Sequence, residues 1–251
     1  MEKDLTNNDF YNYLASEYDE MISFEKSIEN KKKLFAKFVT DKIKSAVDIG
    51  CGSGADSIAL ASLGVKVTAF DPSQAMIKFA KANANKLNVG VELFLHSADE
   101  IPEPFNSKFD LAVSLGNTFA NIPTKKLENS LKRIFDVLKP NGILLMQVLN
   151  YKKIVSEQKR IVNINEGEDK YFIRFYNFLD DQIYFNILIF RKSNPADRSL
   201  ITTKIYPHNK EDFSEALMVS GFNSIRFSSD FAYSEFIDES SKDLVIISKK
   251  K

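Results

Sequence analysis

Chemistry is concentrated in the stretch Val47-Asp48-Ile49-Gly50-Cys51-Gly52-Ser53-Gly54-Ala55-Asp56, where three glycines alternate directly after a short apolar run. Glycine between a strand and a helix reaches positive φ without a Cβ clash. It also lets a ligand lie on bare backbone, facing the free N–H groups of the helix start. Gly50-x-Gly52-x-x-Ala55 satisfies the dinucleotide fingerprint, and Asp71 follows about 20 residues later, where a carboxylate accepts from ribose hydroxyls. Asp48 speaks against a dinucleotide. It stands at the end of the apolar run, and a pyrophosphate brought there would set like charges a few ångströms apart at a cost of several kcal/mol.

A cationic nucleoside reverses that sign. S-adenosylmethionine carries a sulfonium and an ammonium and no phosphate, so Asp48 near its amino-acid end, Asp71 on its ribose and Gly50, Gly52 and Gly54 beneath it are chemically consistent. The alternative for Asp48 is an acid that caps the glycine turn. Methyl transfer from a sulfonium is an in-line displacement, which needs a neutral nucleophile held against the methyl carbon in a site that excludes water. Positioning can supply ~7–11 kcal/mol of the barrier, so a general base is optional.

On the acceptor side the candidates are Asn117, after Leu115-Gly116, and Asn150-Tyr151, all at the carboxyl ends of parallel strands, where open α/β sheets bind ligands. Asn117 either contacts the acceptor or caps a turn. Of Tyr11, Tyr13 and Tyr18 in YNYLASEYDEM, Tyr18 is the choice for cation–π or hydroxyl contact with the sulfonium. Tyr18 and Asn117 are thus the catalytic candidates, and Lys26 is assigned to the cofactor carboxylate. His96 and His208 read as locally hydrogen-bonded, and Cys51 as a small filler. No Cys or His cluster has metal-ligand spacing, so no metal is expected.

These residues need a scaffold of alternating strands and helices. Apolar spacing through Phe24, Ile28, Leu34, Phe35, Phe38 and Val39 predicts an amphipathic helix ending before Ile43. Strands follow at Ser45–Ile49, Val65–Phe70, Val91–Leu95, Phe109–Ser114 and Ile143–Leu149, with helices at Ala55–Ser62, Ser73–Leu87 and Thr124–Leu138, so five parallel strands are expected. After Tyr151 the rhythm changes. Tyr171–Leu179 and Ile183–Arg191 form an antiparallel hairpin around Asp180-Asp181-Gln182, apolar on both faces, with one face free to cover the parallel domain as a lid and the other to meet a second subunit. A helix Lys210–Val219 stopped by Gly221, and strands Phe222–Phe227 and Leu244–Ser248 paired as a hairpin, close the chain.

DIGCGSG, the acidic Asp71 ending the second strand, and Ser97-Ala98-Asp99 after the third resemble class I S-adenosylmethionine-dependent methyltransferases, from about Tyr11 to the C-terminus. The resemblance implies a doubly wound α/β fold with a mostly parallel seven-stranded sheet, order 3-2-1-4-5-7-6 and strand seven antiparallel. More narrowly, GADSIALASLGVKVTAFDPSQAMIKFA, SLGNTFANIP and QVLNYKKI are similar to glycine N-methyltransferase and its sarcosine-methylating relatives. That likeness implies Pro72 and Met76 packed on the adenine, Ala98-Asp99 at its far edge, Leu115 along the cofactor, and a β insertion after Asn150-Tyr151 that helps close the site. One position departs. Leu149 stands where the family's arginine clamps the substrate carboxylate, so either another cation serves, Arg174 or Lys170, or the acceptor is not glycine.

Bulk properties agree with a globular enzyme. The 251 residues are 44% apolar and 27% charged, and 34 basic residues balance 34 acidic ones, which gives no field favouring nucleic acid. Methyltransferases acting on base amines carry an Asn/Asp-Pro-Pro-aromatic motif after strand four, whereas this chain has Ser114-Leu115-Gly116-Asn117. No apolar run reaches the ~20 residues of a membrane span, and MEKDLTNNDF lacks a signal-peptide core, so a cytoplasmic protein is expected. The expectation is one domain, 1–251, with the insertion at 151–206, acting on a small molecule at an amine nitrogen. The rival readings are an NAD-dependent oxidoreductase and a non-catalytic S-adenosylmethionine-binding module.

Overall fold

The computed structural model describes residues 2–179 and 182–251; Asp180 and Asp181, assigned above to the hairpin turn, lie outside the described residues. The chain opens with β1 (Glu2–Leu5) and α1 (Asn7–Ile22), whose N-cap Thr6 Oγ1 accepts from Asp9 N at 3.2 Å. Ser23, at φ +53, breaks α1 from α2 (Phe24–Phe35), and the expected helix through Val39 ends a turn early. Next come β2 (Ser45–Ile49), α3 (Ala55–Ala61), β3 (Lys66–Asp71), α4 (Gln74–Lys86), β4 (Val91–Leu95), β5 (Phe109–Ser114), α5 (Thr124–Val137) and β6 (Leu138–Leu149). β6 is longer than expected. It starts directly after α5 and reaches Ile143 through Asn141, which adopts φ +67.

The remaining elements are α6 (Tyr151–Glu157), β7 (Ile161–Glu166), β8 (Lys170–Leu179), β9 (Gln182–Arg191), β10 (Arg198–Ile205), α7 (Lys210–Ser220), β11 (Ser224–Ser228) and β12 (Asp243–Lys249). Among the described residues the larger sheet has seven strands in the order β4-β3-β2-β5-β6-β12-β11, parallel except for β12, which runs antiparallel to both neighbours. Counted within that sheet this is the order 3-2-1-4-5-7-6. β2, β3 and β5 read as nearly continuous apolar runs because helices cover both of their faces, the usual composition of parallel strands. The core lies on either side of this sheet. Val47, Phe70 and Leu131 belong to one layer, and Ile58, Leu111 and Leu145 to the other.

The insertion is larger than one hairpin. It forms a second, five-stranded sheet ordered β1-β10-β9-β8-β7, so β7 and β10 extend the expected hairpin at either side. β1 pairs parallel with β10 from the far end of the chain, Leu5 opposite Thr203. This pairing fixes α1 between the two sheets. Phe10, Leu14 and Met21 pack against Phe172, Ile187 and Ile201 on one face of the insertion. Phe172 is fully buried in that contact. Replacing it with alanine is expected to destabilise the chain by about 3–5 kcal/mol, measured by urea denaturation; a loss near zero would show that the α1 contact adds nothing to the fold.

Candidate functional site

A cavity of about 680 Å³ opens at the carboxyl ends of β2, β3 and β5, between the glycine turn, α1, β10 and a single 3-10 turn at Thr118–Asn121. Gly50 and Gly52 both adopt positive φ, and their lack of side chains shapes the floor. A Cβ on Gly50 would fall 2.2 Å from Thr118 Cγ2, and one on Gly52 would sit 3.7 Å from the ring of Tyr18. The backbone there is therefore bare and close to its neighbours, as a ligand approach requires.

Asp71 holds this floor. One carboxylate oxygen accepts from Gly52 N at 2.9 Å and the other from Ser73 N at 2.8 Å, so the end of β3 is tied to the glycine turn and to the start of α4. Burial pushes its pKa up to about 6, against the pull of the Ser73 and Gly52 hydrogen bonds. Ser73 Oγ accepts from Met76 N and donates to Asn12 Oδ1 at 2.7 Å, which also accepts from Ala75 N. Through Asn12, α1 is stitched across the turn like a strap.

Pro72, Met76, Ala98, Asp99 and Leu115 all line the cavity, as does Tyr18. Asp99 pairs with Lys126 at 2.7 Å. Tyr11 stands beside Tyr18, ring centroids 6.5 Å apart, and accepts from Asn121 Nδ2 at 3.1 Å. Burial pushes Tyr11 up to about 12 and Tyr18 higher still, so both phenols are neutral and able to donate. His96 is on the wall. His208 is not: it is buried with Nε2 2.8 Å from the Ile122 carbonyl oxygen, and burial lowers its pKa. Cys51 is buried, and burial pushes its thiol well up, so it is an inert filler.

Seven assigned positions lie off the cavity wall: Asp48, Gly54, Lys26, Asn117, Asn150, Tyr151 and Arg174. Gly54 packs on α4 instead, where a Cβ would fall 3.2 Å from that of Ala80. Asp48 is behind the wall, 1% exposed, with Oδ2 accepting from Ser57 Oγ at 2.6 Å. The carboxylate that reaches the cavity at this end is Asp56, with Lys31 Nζ 2.8 Å from it; Lys31 stands on the wall while Lys26 points to solvent. Asn117 is spent on structure. Its Nδ2 donates to Tyr151 Oη at 2.6 Å and its Oδ1 accepts from Leu149 N at 3.0 Å. Asn150 caps α6 and donates to the Asp238 and Ser241 carbonyls, and Tyr151 is 1% exposed beneath the insertion. None of these three lines the cavity: the turn after β6 folds straight into α6 and carries Asn150 and Tyr151 under the site, and Asn117, after β5, is turned toward them by its bonds to Tyr151 and Leu149.

Arg174 lies behind Tyr11 and Tyr18, with Nε donating to Asn163 Oδ1 at 2.6 Å; burial lowers its pKa. Lys170 is taken up by Glu17 of α1, on the α1 face of the insertion and off the cavity wall. The distal half of the cavity was not foreseen. There Asn7 Nδ2 donates to the Asn121 carbonyl at 2.6 Å, Thr203 Oγ1 donates to Asn7 Oδ1, and Tyr206 N binds the Ala120 carbonyl at 2.7 Å. Only Asn121 sits in a stretch that sequence had singled out; Asn7, Thr203 and Tyr206 arrive through the β1–β10 pairing.

The wall suits an amphoteric nucleoside better than a diphosphate. Asp56, Asp71 and Asp99 face the cavity, Lys31 and Lys126 are each paired with one of them, and Ser53 Oγ is buried on the wall without a hydrogen-bond partner. An unsatisfied hydroxyl of this kind calls for a ligand or water. Among the described residues no group of three His, Cys, Asp or Glu side chains is arranged to hold a metal, and no helix is long and apolar enough to cross a membrane.

Residues 46–142 match a family model described as a methyltransferase domain. The glycine N-methyltransferase of Oryctolagus cuniculus is 31% identical over 127 residues, which cover 45% of this chain and 43% of that protein; the chain thus spans less than half of that relative's length. The glycine/sarcosine N-methyltransferase of Aphanothece halophytica is 24% identical over 89% of this chain and 83% of its own. In three dimensions, an S-adenosylmethionine-dependent methyltransferase from Clostridium acetobutylicum superposes with a TM-score of 0.79 at 17% identity, covering 96% of this chain and 98% of the other.

The buried Asp48 generates a prediction about stability. Burial and the nearby Asp56 push its pKa up to about 8, against the Ser57 hydrogen bond and Lys31. An acid whose folded pKa is raised binds its proton more tightly when folded, so its contribution is full below the unfolded value near 4 and is lost as pH rises through about 8. Between pH 5 and 8 the chain should therefore lose stability with rising pH more steeply than Asp48→Asn. Parallel slopes in urea titrations of the two proteins would refute the assignment.

Proposed function

The chain has the fold, and over residues 46–142 the domain, of the class I S-adenosylmethionine-dependent methyltransferases, and on that footing we propose that it methylates a small molecule at an amine nitrogen. The observation that carries this reading is the single cavity that runs from Asp71, over the glycine turn, to a second half walled by Tyr11, Asn121 and Thr203. One end fits a nucleoside donor, and the other leaves room for a small acceptor.

S-adenosylmethionine, when bound, supplies a methyl group on a sulfonium. Asp71 accepts from the ribose hydroxyls while keeping Gly52 and Ser73 in place, and Pro72, Met76 and Ala98-Asp99 bound the adenine. Asp56 and Lys31 offer opposite charges to the amino and carboxyl groups of the methionine end, with Ser53 Oγ between bare backbone groups. Tyr18 presents its ring over Gly52, where a neutral phenol and its π-face stabilise a nearby cation without adding a proton to an amine. Arg174, bonded to Asn163, is not itself a wall residue. α1, held down by Asn12 and by β1, excludes water from above, and exclusion and orientation are the main requirements of an in-line methyl transfer.

An amine acceptor is supported by the nitrogen-methylating relatives. Glycine lacks the family's arginine clamp, because Leu149 is packed beside Tyr151 and Ile183; the cation on the wall of the acceptor half is Lys204, beside Thr203 and Tyr206. A dinucleotide is disfavoured by the same charges that suit the sulfonium donor: a pyrophosphate on the glycine turn would meet Asp56 and Asp71.

Calorimetric titration with S-adenosylhomocysteine and with NADH separates the donors, and transfer of label from methyl-labelled S-adenosylmethionine to a panel of small amines tests the reaction. Binding of NADH alone would end this reading, and saturable donor binding with no transfer to any amine or cell extract would leave a non-catalytic binding module. Asp71→Ala is expected to weaken S-adenosylhomocysteine binding by ~1.5–3 kcal/mol, since a charged acceptor is lost from two hydroxyls. Wild-type affinity should likewise fall as pH drops through about 6, where Asp71 takes up a proton. A flat pH profile together with unchanged affinity of the variant would show that Asp71 does not hold the ribose.

A further inference from the structure

Granting the amine acceptor proposed above, on which the inference rests, we propose that Lys204 holds an anionic group of that acceptor, so that the molecule methylated is an amine carrying a carboxylate or a phosphate. The fold brings this lysine to the cavity. β1 ends at Leu5, opposite Thr203, and from Lys204 onward that edge of β10 has no partner strand among the described residues. Lys204 and Tyr206 border the cavity there, beside Thr6, Asn8 and Pro123, with Lys204 Nζ 5.7 Å from the centroid of the Tyr206 ring. Lys204 is half-buried.

The charges of the wall set this residue apart. Three lysines and three aspartates line the cavity: Lys31, Lys126 and Lys204, and Asp56, Asp71 and Asp99. Lys31 is paired with Asp56 at 2.8 Å and Lys126 with Asp99 at 2.7 Å, while Asp71 accepts from the Gly52 and Ser73 amides. Among the described residues no carboxylate lies within ion-pair distance of Lys204. The Tyr206 ring offers it a π-face and no countercharge.

Methyl transfer gives that lone cation a consequence. The acceptor nitrogen forms the N–C bond with its lone pair as the C–S pair leaves with sulfur, and the methylated ammonium gives up its proton to water after release. Positive charge therefore passes from sulfur to nitrogen, out of the donor half and into the half that Lys204 borders. With an uncharged acceptor it would move toward an uncompensated like charge, which opposes the transition state where water is excluded. An anionic group seated against Lys204 removes that opposition. S-adenosylmethionine, with a sulfonium, an ammonium and a carboxylate, brings one net positive charge to a wall of three charges of each sign, so a negatively charged acceptor takes the loaded cavity toward neutrality. A lysine ammonium is a compact point charge with three rotatable donors, suited to one carboxylate or phosphate oxygen and not to a planar bidentate grip.

Transfer of label from methyl-labelled S-adenosylmethionine is compared within three pairs of amines: 4-aminobutyrate and 4-aminobutyramide, glycine and glycinamide, and phosphoethanolamine and ethanolamine. The charged member of at least one pair is expected to exceed its partner in kcat/KM by about tenfold or more, and the pair that shows it separates carboxylate from phosphate. Lys204→Gln should bring that ratio near one, chiefly through KM, and Lys204→Arg should keep most of it. Lys42→Gln, on an exposed lysine away from the cavity, should leave the ratio as it is. Calorimetric titration of Lys204→Gln with S-adenosylhomocysteine should return the wild-type affinity; a loss there would put Lys204 in the donor half and overturn the proposal. Equal rates within every methylated pair, or a preference that survives in Lys204→Gln, would overturn it too. If no amine is methylated the amine reading falls, and the anion site is then decided by titrating acetate and inorganic phosphate into the S-adenosylhomocysteine complex: binding that Lys204→Gln loses supports the site, and no binding to the wild-type complex overturns it.

Discussion

The hydrogen bonds that Asp71 accepts from Gly52 and Ser73 organise the site. They join the end of one strand to the turn after its neighbour and to the first turn of the next helix, three segments that have no other reason to meet at this spacing. Because two backbone N–H groups each bind a different oxygen, the carboxylate is fixed in orientation on the cavity wall. The same arrangement raises its pKa, since burial outweighs the two bonds. In the proposed reading, structure and ligand binding thus draw on one charged group.

A second constraint comes from the first few residues. β1 pairs with β10, some 200 positions away, and α1 follows directly from that strand after the Thr6 cap. Its apolar side meets the insertion and its polar side, through Asn12, meets Ser73. The cavity is therefore bounded by this helix, and its distal half is built from Asn7, Asn121 and Thr203 where the two sheets and the helix converge. The enclosure would matter for the proposed methyl transfer because a sulfonium reacts with whatever nucleophile is held against it, and water is the commonest competitor.

Electrostatics at the donor end are shared out among several residues. Asp48, foreseen as the ligand's counter-charge, is instead buried and raised toward neutrality, leaving Asp56 one turn later to face the cavity with Lys31. The difference is one of direction. Residues 48 and 56 lie on either side of the same glycine turn, and which carboxylate reaches the ligand depends on how α3 leaves the strand. The same holds for Lys26 and Lys31, both on α2 and about one and a half turns apart, hence on different faces. Asn117, Asn150 and Tyr151 were correctly placed at the ends of β5 and β6, yet they are used to pin those ends to each other.

Local pattern alone determined the five parallel strands, the glycine turn and the placing of Asp71 at a strand end, because each is specified by neighbours within a few positions and by a period of two or 3.6, whereas Pro72, Met76 and Ala98 were assigned through family likeness. The closing antiparallel hairpin and the seven-strand order also followed, the order through family likeness. What only the tertiary structure decided is which side chains face the cavity and what closes it: the β1–β10 pairing, the strap of α1, the choice of Asp56 and Lys31 over Asp48 and Lys26. Those outcomes depend on contacts between residues far apart in the chain and on the rotation of whole elements. Neither leaves a trace in composition or spacing.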